Sequence, residues 1–212
     1  MAYDLEEQES IDQMKAWWEK WGTPITAAVC VCCLGFAGWN GWHWYQRNQA
    51  ANASGAYVQL QNAIYQNDTK NVKSIADGLI SEYGSTIYAP LGALASAAVE
   101  AQEGNLDLAR TRLTWVIEKS GHPEYDTIAR VRLAGIELSA KNPQAALKAI
   151  EAAKPVQDQV ALVQDRLGDV YYAMNDIAKA REAWEKAVAA AGEQSPIRGV
   201  LHYKLASVST AE

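Results

Sequence analysis

A chain of 212 residues, with 49% hydrophobic, 21% charged and 9% aromatic side chains, has the length for one domain with an appendage. Three Cys are too few for a disulfide-stapled secreted scaffold, and six Pro with 14 Gly are too few for a collagen or a disordered linker. A net charge of -6 argues against nucleic acid as a partner, because phosphate binding needs a clustered basic face.

Residues 1–20 read as a short acidic segment in which Lys15 and Lys20 stand against Asp4, Glu6, Glu7, Glu9, Asp12 and Glu19. Ile11, Met14, Trp17 or Trp18, and Trp21 recur every three or four residues. That spacing predicts a short amphipathic helix lying on a membrane surface.

From Trp21 to Gln46 no residue carries a formal charge, and Lys20 and Arg47 bound the stretch. These 26 positions would span roughly 39 Å as a helix, against a hydrocarbon core of about 30 Å. The middle, Ile25 to Gly38, is apolar or small throughout, and includes Cys30, Cys32 and Cys33. Aromatic residues gather at both ends, with Trp17, Trp18 and Trp21 on one side and Trp39, Trp42, Trp44 and Tyr45 on the other. Two such belts flanking one apolar run are the pattern of a helix crossing a lipid bilayer. A cleaved signal peptide would need a net positive start and a shorter apolar run, so an uncleaved anchor over 21–46 is expected. Lys15 and Lys20 precede the span and only Arg47 follows it closely, which predicts a cytoplasmic N-terminal segment and an exported remainder. In a bacterium that arrangement means an inner-membrane protein with a periplasmic domain. The lack of Cys after position 33 is compatible with that oxidising compartment.

Residues 47–56, RNQAANASGA, are polar and small, and would serve as helix or as a short joint. Beyond them there is no alternating strand pattern. Between Ala161 and Ala190, Leu167, Gly168, Tyr171, Ala180, Trp184 and Ala187 fall on positions 7, 8, 11, 20, 24 and 27 of the helix-turn-helix unit called the tetratricopeptide repeat. Gly168 and Ala180 would let two antiparallel helices approach closely while Tyr171 and Trp184 fill the space beside them. A second copy runs from Thr127, with Leu133, Ala134, Ala146, Ile150 and Ala153 in register and Glu137 where an aromatic is usual. A third begins near Pro90, with Ala97, Ala109, Leu113 and Val116 in register and Ser96 in place of Leu. A degenerate copy over about 57–89 would use Ala63, Ala76, Ile80 and Tyr83. The predicted fold is therefore all-α, one membrane helix followed by a helical-repeat domain over 47–212. Its units are 57–89, 90–126, 127–160 and 161–194, with a solvating cap helix at 195–208. Turns are expected at Gly104-Asn105, Asn142-Pro143 and Asn175-Asp176.

The chemistry-bearing residues form no catalytic set. Cys30, Cys32 and Cys33 lie inside the apolar span with no ligand-spaced His or carboxylate, so they read as small hydrophobes without a metal. His43, His122 and His202 are dispersed, and no phosphate-binding loop or nucleophile motif is present. No enzyme activity and no cofactor is expected. A binding surface is the natural alternative: positions 5, 9, 12 and 13 of each first helix line the concave face of such arrays. They select Leu94, Val131, Leu138, Asp165, Asp169 and Tyr172, a mixture of apolar and acidic groups suited to a segment of a partner protein. Leu94 and Leu138 would equally serve to complete the core.

With these parts in order, the chain resembles the YfgM family, the ancillary subunit of the SecYEG translocon. The likeness is carried by the Trp-rich end of the span, WNGWHWYQ, and by the stretches Tyr88 to Ala109, Arg130 to Ala152, and Asp165 to Val188. What the resemblance implies is association with SecYEG and with a membrane-anchored periplasmic prolyl-isomerase-like chaperone. Periodicity alone gives only an anchored scaffold, for which another envelope or cytochrome-maturation complex is the competing assignment.

Overall fold

The structure, a computed structural model, describes residues 2–209, with side chains over 7–208. Every regular element among the described residues is helical. The chain divides into two compact units, residues 1–49 and 50–212.

The first unit is almost entirely one helix. Helix α1 runs Ala2–Tyr65 and contains the acidic segment, the apolar span and residues 47–56 without interruption. The separate surface helix expected around Ile11 to Trp21 is therefore not a separate element, and residues 47–56 are helix rather than a joint. Pro24 lies inside α1. It removes only its own bond to the carbonyl four residues back, and such a loss is tolerated in long helices. Thr26 Oγ1 donates to the Gly22 carbonyl at 2.7 Å and Asn40 Nδ2 to the Phe36 carbonyl at 3.0 Å, so these polar groups of the span are satisfied within the helix.

The second unit begins with the end of α1 and continues through α2 (Thr69–Glu82), α3 (Tyr88–Gln102), α4 (Leu106–Lys119), α5 (Asp126–Ser139), α6 (Pro143–Glu151), α7 (Val160–Ala173), α8 (Ile177–Ala190) and α9 (Ile197–Ser209). From α2 onward each helix packs on the next, and α5 also packs on α7. One turn recurs four times. Asn67, Gly104, Lys141 and Asn175 adopt positive φ, between 56° and 83°. The next residue, Asp68, Asn105, Asn142 or Asp176, sends its backbone N–H to the carbonyl of Ala63, Glu100, Glu137 or Tyr171, at 2.8 to 2.9 Å. This is the left-handed helix ending that satisfies the last carbonyls of one helix while starting another. Asp68, Asn142 and Asp176 then cap the second helix through a carboxylate or amide oxygen.

These turns fix the register, and they correct it in the first repeat, 57–89. Counting from Asp68, the counterparts of Ala109, Leu113 and Val116 are Val72, Ala76 and Leu79, all at most 1% exposed. The expected Ile80 and Tyr83 sit one turn later and are only partly buried. Four apolar clusters run along the stack, each joining consecutive helices. Close approach depends on two glycines. A Cβ on Gly92 would come within 2.6 Å of Leu79 Cδ1, and one on Gly168 would overlap the Trp184 indole.

The two residues that depart from the repeat pattern are both buried. Glu137 takes an aromatic position and bonds Arg110 of the preceding unit, Nε to Oε1 at 2.5 Å. Ser96 is fully buried, and its Oγ has no hydrogen-bond partner among the described residues. Arg112, whose side chain is 2% exposed, lies 3.0 Å from Asp77 and 4.0 Å from Glu100.

Candidate protein-binding face

The first helices of successive units, α3, α5 and α7, carry the residues expected to line a groove. Six positions were selected by repeat spacing, and the structure separates them into two groups. Leu94 and Val131 are 5% and 4% exposed and belong to core clusters; they are not groove residues. The physical reason is packing: Leu94 shares a cluster with Leu113 and Val116 of its own helix pair and with Ala129 and Ile136 of the next unit, and Val131 shares one with Ile150 of its own pair and Val163 of the next. Leu138 is half-buried against the same cluster as Val131.

Asp165, Asp169 and Tyr172 do share one face of α7, but they are not free. Lys204 Nζ, on the terminal helix α9, donates to Asp165 Oδ1 and to Asp169 Oδ1, each at 2.6 Å. Arg166 Nη1 adds a bond to Asp169 Oδ2 at 3.3 Å. Both carboxylates are thus held within the chain by partly buried cations. Beside them the Tyr172 ring, 53% exposed, stands 5.9 Å from the Trp184 ring. Trp184 is buried, and its indole N–H donates to the Asp165 carbonyl at 3.2 Å, which fixes the floor under that face.

Repeat spacing passed over the basic residues of this row. Arg132 on α5 and Arg166 on α7 follow directly after Val131 and Asp165 and occupy the same repeat position. Arg132 Nη1 donates to the Leu94 carbonyl on α3 at 2.9 Å. The sign of the charge at equivalent positions was the available signal. Farther along, Arg110 bridges Asp107 and Glu137. The hydrogen bond to Glu137, with a second to Asp107, raises its guanidinium pKa above the ordinary value.

In the first unit the apolar side chains are exposed. Leu34 and Phe36 are 74% and 72% exposed, and Trp17, Trp18, Trp21, Trp39, Trp42, Trp44 and Tyr45 are all exposed. One helix among the described residues is long and apolar enough to cross a membrane, and this stretch lies within it. Cys30, Cys32 and Cys33 are exposed along the same surface.

Comparison with known proteins agrees with this architecture. A family model described as a tetratricopeptide repeat-like domain matches residues 15–210. A protein of Neisseria gonorrhoeae named ancillary SecYEG translocon subunit is 29% identical, over 98% of this chain and 100% of that protein. Proteins of the same name from Haemophilus influenzae and Escherichia coli are 27% and 24% identical, over 88% and 86% of this chain and 91% and 87% of theirs. The solved structure of a MamA RS-1 ArsTM double mutant superposes with a TM-score of 0.53 at 16% identity, over 75% of this chain and 95% of that one. That likeness extends to the fold alone. With its four Schellman-type turns, stacked helix pairs and matched span of 15–210, the chain belongs to the tetratricopeptide repeat-like domain family, among relatives named ancillary SecYEG translocon subunits.

Proposed function

We propose that this protein is a non-catalytic scaffold of the bacterial inner membrane that associates with the SecYEG translocon. In this reading residues 21–46 cross the bilayer once, the N-terminal segment is cytoplasmic, and the repeat domain stands in the periplasm. There it links exported proteins to periplasmic chaperones, including a membrane-anchored prolyl-isomerase-like chaperone. The observation that carries the reading is the junction of an exposed apolar helix between two aromatic belts with a stacked helical-repeat domain. The name borne by relatives aligned over nearly the whole chain supports the translocon as the neighbour.

The physical advantage of the arrangement is concentration. A binding face tethered beside the export channel meets an emerging segment at an effective concentration set by the tether rather than by diffusion through the compartment. The aromatic residues Trp17, Trp18, Trp21, Trp39, Trp42, Trp44 and Tyr45 would sit at the two interfaces, where their rings are half in lipid and half in water. The excess of Lys15 and Lys20 over Arg47 supports the assigned orientation.

Site-specific photocrosslinking in native membranes tests the proposal. A crosslinker at Tyr172, which is exposed, should yield adducts with a periplasmic chaperone or an exported chain, and one beside Arg47 should yield adducts with translocon subunits. Absence of translocon adducts, or release of the full-length chain by alkaline carbonate, refutes it.

A further inference from the structure

We infer that the face of the first repeat around Gly55 docks a single α-helix of another protein, one that presents a leucine-sized side chain. This inference rests on the scaffold reading above and adds where a partner is held and what shape it has.

The turns place the repeats in register. Aligning Asp68 with Asn105 sets Asn52, Gly55 and Gln59 of α1 on Ala89, Gly92 and Ser96 of α3. Continuing through Asn142 and Asp176 sets Gly92 on Ala129 of α5 and on Val163 of α7. In each of these later helices the position is buried, and the second helix of the preceding repeat packs against it. The notch at Gly92 receives Leu79 of α2, so closely that a Cβ would come within 2.6 Å of Leu79 Cδ1. Ala129 clusters with Leu113 and Val116 of α4, and Val163 clusters with Ala146 and Ile150 of α6. Stacking therefore repeats one interface, a second helix laid on the next first helix.

The end of α1 carries the same acceptor face, and among the described residues no second helix precedes it. Ala89 and Ser96 are 0% exposed, whereas Asn52, Gly55 and Gln59 are exposed. A Cβ on Gly55 meets nothing within 4 Å. The notch that Leu79 fills at Gly92 is thus open at Gly55. It lies in a trough of about 510 Å³ between α1 and α2, whose lining also includes Ile75, Gly78 and Glu82. Gly78 has the same open space at its Cα, so both helices offer bare backbone to a close neighbour. An end that served only to meet water would be strongly polar. Here Glu82 is the one charged side chain in the lining, and Asn52 and Gln59 add uncharged hydrogen-bonding groups. From Ala51 to Gln59 the trough follows about 12 Å of helix, enough to seat a partner helix of two or three turns.

The stack also selects the occupant. The complement of this face is the outer face of a second helix, and this chain has none to spare. Each of α2, α4, α6 and α8 is already packed against the first helix that follows it. A second copy therefore lacks the matching surface among the described residues, and the occupant is a helix of a different protein. Its contact face is largely uncharged and puts an aliphatic side chain into the Gly55 notch, as α2 puts Leu79 against Gly92.

The test uses the full-length protein in detergent micelles. The probe is a dye-labelled, hydrocarbon-stapled peptide copy of residues 68–83, the helix that fills the equivalent notch. Fluorescence anisotropy should show saturable binding. Gly55→Leu should weaken it at least ten-fold with the melting temperature unchanged or raised, because the new Cβ enters open space on a helix. Leu79→Ala in the peptide should weaken binding by a similar factor. Absence of saturable binding overturns the inference, and so does binding that survives Gly55→Leu, which would mean that the peptide displaces α2 from α3. In native membranes, a benzoylphenylalanine in place of Gln59 should crosslink to a helical segment of another protein, and Gly55→Leu should abolish that adduct. No adduct, or adducts only with a second copy of this chain or with lipid, overturns the inference as well. Translocon crosslinks from the position beside Arg47 are scored separately. Their presence alongside failed peptide binding removes the docking inference alone, and their loss alongside intact peptide binding removes the translocon reading alone.

Discussion

Replacing Gly168 by Ala puts a methyl group into the Trp184 indole, with one ring atom, Cε2, only 2.8 Å from the new Cβ. The indole has little freedom to withdraw. Trp184 is 3% exposed, its ring nitrogen is bonded to the Asp165 carbonyl at 3.2 Å, and Lys204 Nζ lies 5.8 Å from its centroid. Overpacking a fixed core costs about 1 to 3 kcal/mol. Losing the indole bond adds about 1 kcal/mol. Against these, Ala in place of Gly inside a helix gains about 1 kcal/mol. The net expectation is a loss of about 1 to 3 kcal/mol, which lowers the melting temperature by several degrees in a chain of this size. Gly78 in α2 is the control, because a Cβ there meets nothing within 4 Å. Gly78→Ala should stabilise by about 0.5 to 1 kcal/mol. Thermal melts followed by far-ultraviolet circular dichroism measure both variants, and the difference in near-ultraviolet signal between each variant and the unaltered protein follows the packing of its aromatic side chains, Trp184 among them. Repeat arrays can melt in parts, so the Gly168→Ala change should appear first in that aromatic signal. The reasoning fails if the two substitutions shift the melt in the same direction.

Three further expectations follow from named contacts. Glu137→Gln deletes the charge facing Arg110, which is a third exposed and keeps Asp107; a loss of about 1 to 2 kcal/mol is expected by denaturant titration, and an additive effect with Arg110→Gln would contradict the pairing. The Lys179 side chain, and then its backbone N–H, hold the Asp176 carboxyl below its ordinary pKa. A carboxylate with a depressed folded-state pKa contributes stability that is complete above its ordinary value of about 4 and is lost as the pH falls through the depressed one, so the melting difference between the native protein and Asp176→Asn should be present at neutral pH and vanish in that acid window. Lys204→Met leaves Asp165 and Asp169 without their shared cation, and amide exchange should quicken in α9 while α2 and α3 keep their protection; unchanged protection in α9 would show that its apolar contacts alone hold it.

The amino-acid sequence alone determined the features that depend on local chemistry. An apolar run bounded by charge and aromatic belts declares itself because lipid has no water to satisfy polar groups. Pairs such as Gly104-Asn105 and Asn175-Asp176 mark turns because the first residue of each tolerates positive φ and the second can cap a helix. The small residues Gly168 and Ala180 mark close helix contact for a similar reason. Tertiary structure decided the rest. In the first repeat a slip of four residues leaves a helical pattern almost unchanged, since four residues is close to one turn. Only the Asn67-Asp68 turn fixes Val72, Ala76 and Leu79 as the buried set. Leu94 and Val131 belong to clusters that join their own helix pair to the first helix of the next unit, and it is that stacking that buries them. Asp165 and Asp169 read as free acids until a lysine 35 or more residues away closes over them. Helix periodicity reports which face of a helix a residue occupies, whereas burial and net charge on that face are set by whatever packs against it from elsewhere in the chain.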